Sequence, residues 1–133
     1  MKISALLFAF TTLGVTSAAY GQTLAGEYSD KQYLHGKAVF QMSIEGTGNN
    51  TQIWFSAGNS DGQGAAPEAN GTGKFVGKDK LQFTFEDSCR NSGTGIVNRS
   101  GDDIVVSIKP TRVADSRCVG FYADNIRLKR VKK

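Results

Sequence analysis

The sequence holds one histidine, two cysteines, two prolines and one tryptophan in 133 residues. Those shortages exclude several chemistries at once. One imidazole, His35, and two thiols, Cys89 and Cys118, match no zinc-ligand spacing. His35 could serve Ser29, Ser88 or Ser116 as a base, with Asp30 or Asp115 behind it. The spacing supports no such triad, and there is no nucleophile elbow. The acid pairs Glu86-Asp87 and Asp102-Asp103 do not converge, because neighbours on a strand point to opposite faces. No glycine loop ends in the Gly-Lys-Ser/Thr of a phosphate cradle. The segment from Asn59 to Gly64 begins like a calcium loop, but its twelfth position is Asn70 where a bidentate acid is needed. A flexible glycine-rich loop is the simpler reading. The expectation is a protein without enzymatic activity, cofactor or metal.

After the first segment no apolar run is long enough to cross a membrane. That first segment has the plan of a secretory leader. Met1-Lys2 supplies the charge, Ile3 to Val15 the apolar stretch, and Ser17 and Ala19 the small residues before cleavage. Residues 1–19 are therefore expected to be a signal peptide, and residues 20–133 one mature domain, periplasmic or secreted. No lipid-anchoring cysteine follows the apolar run. The short leader has a bacterial look. The three Asn-x-Ser/Thr matches, at Asn49, Asn70 and Asn98, matter only in a eukaryotic source.

Charge is unevenly placed. The formal net charge is +4, yet residues 20–124 hold fewer lysines and arginines than acids. Arg127, Lys129, Arg130, Lys132 and Lys133 all follow the last acid, Asp124. The basic excess thus belongs to a tail and not to a basic face, so nucleic acid is not an expected partner. In an exported chain the two cysteines are expected to pair, closing a loop that stabilises by about 3.6 kcal/mol in the chain-entropy model.

What the sequence has in plenty is period-two alternation, with no helical stripe. Eight short strands follow from it. The first lies around Leu24 to Tyr28, the second at Ala38 to Glu45, the third at Thr51 to Ala57, and a brief fourth near Lys74 to Val76. The fifth carries Leu81, Phe83 and Phe85 on one face. The sixth lies near Thr94 to Asn98, the seventh runs from Ile104 to Lys109 until Pro110 stops it, and the eighth carries Ile126 and Leu128. Trp54 falls on the outer face of the third strand. A helical turn fits between Thr111 and Asp124. The expected fold is all-β, an eight-stranded antiparallel up-and-down barrel with one disulfide, closure removing the exposed edges. A β-sandwich or half-open barrel is the alternative.

In that order, connections alternate between two ends. Short glycine-bearing turns occupy one end. The longer connections, Ser29 to Gly36, Gly58 to Gly73, Asp87 to Gly93 and Pro110 to Asn125, share the other, and both cysteines sit in them. Long loops carry recognition more often than tight turns. The candidate partner-binding residues are therefore Tyr33, Arg90, Arg112, Arg117, Phe121 and Tyr122, of types favoured in interface hot spots. Phe121 could instead cap the barrel mouth.

Gly26-Glu27-Tyr28 resembles the Gly-x-Trp that opens lipocalin-like (calycin) barrels, with tyrosine in place of tryptophan. Arg127 or Arg130 resembles the arginine that packs over that ring. The likeness covers the two ends of the mature chain and implies barrel closure more than ligand binding. Size, export, one disulfide and loops gathered at one end are also similar in plan to the small periplasmic inhibitors of lysozyme, without a matching inhibitory motif. The leading expectation is an exported binding module that engages a protein through its long-loop end, an inhibitor of an envelope or cell-wall hydrolase such as lysozyme. The alternatives are a small-ligand carrier of lipocalin-like type, and an anionic-polymer or membrane-surface binder acting through the basic tail. The presumed inward phenylalanines would fill an eight-stranded lumen, which disfavours a roomy lipid cavity.

Overall fold

The structure, a computed structural model, describes residues 24–46 and 48–131. The expected signal peptide, residues 1–19, lies outside the described residues, as do Lys132 and Lys133. Eight antiparallel strands form a closed barrel in sequence order: β1 (Gly26–Tyr33), β2 (Ala38–Glu45), β3 (Thr51–Asn59), β4 (Glu68–Gly77), β5 (Lys80–Asp87), β6 (Ser92–Ser100), β7 (Asp103–Arg112) and β8 (Ile126–Arg130). Closure is made where β1 meets β8, with Tyr28 opposite Arg130 and Ser29 opposite Lys129. A short helix, α1 (Ser116–Val119), interrupts the β7–β8 connection where a helical turn was expected.

Alternation sends one residue in two into the lumen. Phe40, Met42 and Ile44 of β2, Ile53 and Phe55 of β3, Leu81, Phe83 and Phe85 of β5, and Ile104, Val106 and Ile108 of β7 are all buried. Phe55 is the hub. Its ring stacks on Phe40 at 5.8 Å and meets Phe83 and Phe85 edge-on at 6.2 and 5.1 Å. Such volume fits the lumen because the neighbouring strands give way. Phe83 stands between Gly73 of β4 and Gly95 of β6, and Phe85 stands between Gly71 and Gly93. A Cβ on Gly95 would strike the Phe83 ring, lying 2.8 Å from its Cε2, and one on Gly73 would lie 2.7 Å from the Gln82 carbonyl. Large side chains on one strand thus face bare backbone on the strands beside it, as barrels of this size require.

Several expected boundaries need correction. β4 is not a brief strand over Lys74–Val76 but runs ten residues from Glu68, because Gly71 and Gly73 let the β5 backbone approach closely. Pro110 does not stop β7, which continues to Arg112. The register shifts between Ser92 and Gly93 opposite it, so the missing N–H falls at a bulge. β1 reaches Tyr33 through an irregularity between Asp30 and Tyr33, so the first hairpin turn is only residues 34–37. The basic tail is also largely a strand: Arg127, Lys129 and Arg130 lie in β8.

The choice between Arg127 and Arg130 is resolved. The Arg130 guanidinium lies 4.9 Å from the centre of the Tyr28 ring. It donates to the Tyr28 hydroxyl at 2.8 Å and to the Ala25 carbonyl at 3.0 Å. Arg127 turns instead to Ser100 and Asp103. A cation over a ring, with its other donors satisfied, fastens the first strand to the last.

Candidate functional site

The connections of the end expected to be longer are residues 34–37, 60–67, 88–91 and 113–125, of which the first and third are only four residues because the strands beside them run further than expected. They are joined to one another. Ser60 donates from its backbone to the Lys37 carbonyl and from its hydroxyl to the Gly36 carbonyl, tying the second connection to the first. Glu68 and Ser88 exchange two bonds, Ser88 N–H to the Glu68 carbonyl at 2.8 Å and Glu68 N–H to the Ser88 hydroxyl at 3.0 Å. These tie the second to the third. Cys89 and Cys118 are joined in a disulfide that ties the third to the fourth. Tyr33 then closes the circuit, donating to the Phe121 carbonyl at 2.6 Å.

Asn91 is the centre of this brace. It is fully buried in the connection just before β6. Its side-chain oxygen accepts from the Ala114 and Asp115 N–H groups at 2.6 and 2.9 Å, and its amide nitrogen donates to the Asp115 carbonyl at 3.0 Å. Asp87 completes the arrangement from the end of β5. One carboxylate oxygen accepts from the backbone of Cys89 and Asn91, and the other from the Tyr122 hydroxyl at 2.7 Å and the Asn91 amide. A buried carboxylate with four donors is a satisfied structural group. Tyr122 in turn sets its ring edge-on to Phe55 and Phe85 at 5.8 and 5.6 Å. Burial first, and then the Asp87 carboxylate, push its phenol pKa far above the ordinary value. Tyr122 is therefore a fixed donor with no capacity to act as a base near neutrality.

The six candidate contact residues divide into two groups. Tyr33 and Phe121 are buried and Tyr122 is half-buried. Together they close the mouth of the barrel, so their apolar rings are spent on the core and are not offered to a partner. For Tyr33 and Phe121 this corrects the expectation of a surface role, and Phe121 takes the capping place. Arg90, Arg112 and Arg117 are exposed. Arg90 holds a left-handed backbone at φ 71°, fixed by its N–H to the Asp87 carbonyl. Arg112 ends β7 opposite Ser92, close to the Arg90 turn. Arg117 lies in α1 and forks onto Asp115 at 2.6 and 3.0 Å, which holds that carboxyl down to about 2. Sequence reasoning missed Asn91 and Asp87. Asp-x-x-x-Asn at the end of a strand was the available signal, since both residues favour turns that bond their own backbone.

The calcium-like segment uses its polar groups internally. The Asn59 amide donates to the Gln63 carbonyl, and Asp61 accepts from the Gln63 N–H. His35 sits in a tight turn with Leu34 and Gly36, all at positive φ. Among the described residues no group of three or more His, Cys, Asp or Glu side chains could hold a metal ion, and no helix is long and apolar enough to cross a membrane. No known family model and no curated protein matches this chain.

Proposed function

We propose that this chain is an exported, non-enzymatic protein-binding module of lipocalin-like build, working through the braced loop end. An inhibitor of an envelope or cell-wall hydrolase is its specific form. The observation that carries the reading is the circuit of bonds linking all four connections at that end. A surface already ordered in the free state loses little conformational entropy on binding. Arg90 and Arg112 stand exposed on it, beside Arg117, whose fork is taken by Asp115. Guanidinium forks pair with carboxylates, and glycoside hydrolases carry two carboxylates in their cleft. Export is supported by the disulfide, which fits an oxidising compartment. The lipocalin-like reading is supported by the Tyr28–Arg130 contact. The carrier alternative is weakened by the aromatic packing in the lumen, and the tail alternative by the engagement of Arg130.

The test is capture from envelope extract with the processed chain as bait, with lysozyme inhibition measured alongside. The doubly substituted Arg90→Ala/Arg112→Ala chain is the control. Retention of a hydrolase by the wild type, weakened at least about tenfold by the double substitution, supports the reading. Equal capture by both chains, or none by either, refutes it.

A further inference from the structure

The outer wall of the barrel carries a feature that neither the loop end nor the core uses. A groove of about 740 Å³ crosses the outer face of β1 to β4. Trp54, the one tryptophan of the chain, lines it half-buried. It stands in a cross-strand row that reads Glu27, Ser43, Trp54, Asn70. With strands about 4.8 Å apart, that row spans about 14 Å, the length of a short oligosaccharide. Gln41 and Gln52 line the same groove. A second groove shares Gln52 and Asn70 and continues over Thr72, Thr84 and Glu86 to Ser92.

The chemistry narrows the occupant. An indole among side-chain amides and hydroxyls offers a flat apolar plate with donors and acceptors beside it. A sugar ring has that form in reverse, an apolar CH face rimmed with hydroxyls that both donate and accept. Lipid is disfavoured, because the lining is mostly polar. Anionic polymers are disfavoured too, because Glu27, Glu45 and Glu86 outnumber Lys31 along the two grooves. Peptide addition to the sheet has no open edge to use in a closed barrel. We propose that this wall binds a neutral oligosaccharide chain, with Trp54 against a sugar ring and Gln41, Gln52 and Asn70 bonding its hydroxyls. The proposal is independent of the loop-end function.

The lone tryptophan makes the test direct, since its emission reports on this groove alone. The processed chain is titrated with chitohexaose and with cellohexaose, and with heparin as the anionic comparison. A saturable change with a neutral glycan is expected. Gln52→Ala/Asn70→Ala should weaken it about thirtyfold, the factor for two lost hydrogen bonds. Trp54→Phe, followed by calorimetry, should show weakened binding as well. Arg90→Ala/Arg112→Ala should leave it unchanged, which separates this wall from the loop end. No saturable response to either glycan overturns the proposal. So does binding to heparin alone, or glycan binding unaltered in a folded Gln52→Ala/Asn70→Ala chain.

Discussion

Replacing Asn91 with alanine should loosen the loop end more than any other single change there. The amide bridges the β5–β6 turn and the β7–β8 connection through bonds to Ala114, Asp115 and Asp87. Four side-chain bonds disappear, one of them long at 3.3 Å. A net bond contributes about 1 kcal/mol, and a buried group left without its partner costs about 1–3 kcal/mol. Water can reach Ala114, which is exposed, but a cavity remains where the fully buried amide stood. The expected loss is about 2–4 kcal/mol. Asn91→Asp should be no milder, since it keeps the acceptor but loses the donor and sets a second carboxylate against Asp87. Urea denaturation followed by Trp54 emission and by far-ultraviolet dichroism measures both variants. A loss below about 0.5 kcal/mol for Asn91→Ala, the range of ordinary surface changes, would refute the bracing role.

Cys89→Ser/Cys118→Ser opens a cross-link between residues 29 apart in sequence and should cost about 3.6 kcal/mol by the chain-entropy model, read from the same denaturation curves. Gly95→Ala should cost about 1–3 kcal/mol by driving a methyl into the Phe83 ring. Phe83→Leu in that background should cost less than it does alone, and strict additivity would contradict the packing account. The phenol pKa values of Tyr28 and Tyr33, raised mainly by burial, and of Tyr122, raised by burial and by Asp87, set the alkaline limit. The unfolded chain releases these protons near pH 10 while the folded chain keeps them. Stability is therefore intact below about pH 10 and falls above it, each tyrosine contributing at most about 1.4 kcal/mol per pH unit and only until its own folded pKa is passed. An unfolding midpoint unchanged at about pH 11 would contradict that sign.

Strands β2, β5 and β7 were legible because their alternation is chemically sharp: Phe40, Met42 and Ile44, or Ile104, Val106 and Ile108, against polar neighbours. The full length of β4 was not. Asn70-Gly71-Thr72-Gly73 has the composition of a loop, and what makes it a strand is its pairing with β5, whose backbone lies too close to Gly71 and Gly73 for a side chain there. Pro110 misled for a related reason, since the bulge that accepts it lies on β6. The grouping of four connections at one end followed from strand order alone, but their lengths did not, since 34–37 and 88–91 are four-residue turns. Which loop residues would face outward did not. Tyr33, Phe121 and Tyr122 look like exposed anchors until the open mouth of the barrel is seen to need a plug. The local pairing of Asn91 with Asp87 gave no sign of burial, because the Ala114 and Asp115 groups that enclose its amide come from more than twenty residues away.

Amide hydrogen exchange reads directly whether the four connections form one ordered surface. The N–H groups of Glu68, Cys89, Asn91, Ala114 and Asp115 all have partners within that surface. They should exchange about 10²-fold slower than free peptide, the factor given by ~2.7 kcal/mol of local stability. Asn91→Ala should release Ala114 and Asp115 while the strands stay protected. Exchange of these amides at the free-peptide rate in the intact chain would contradict the account.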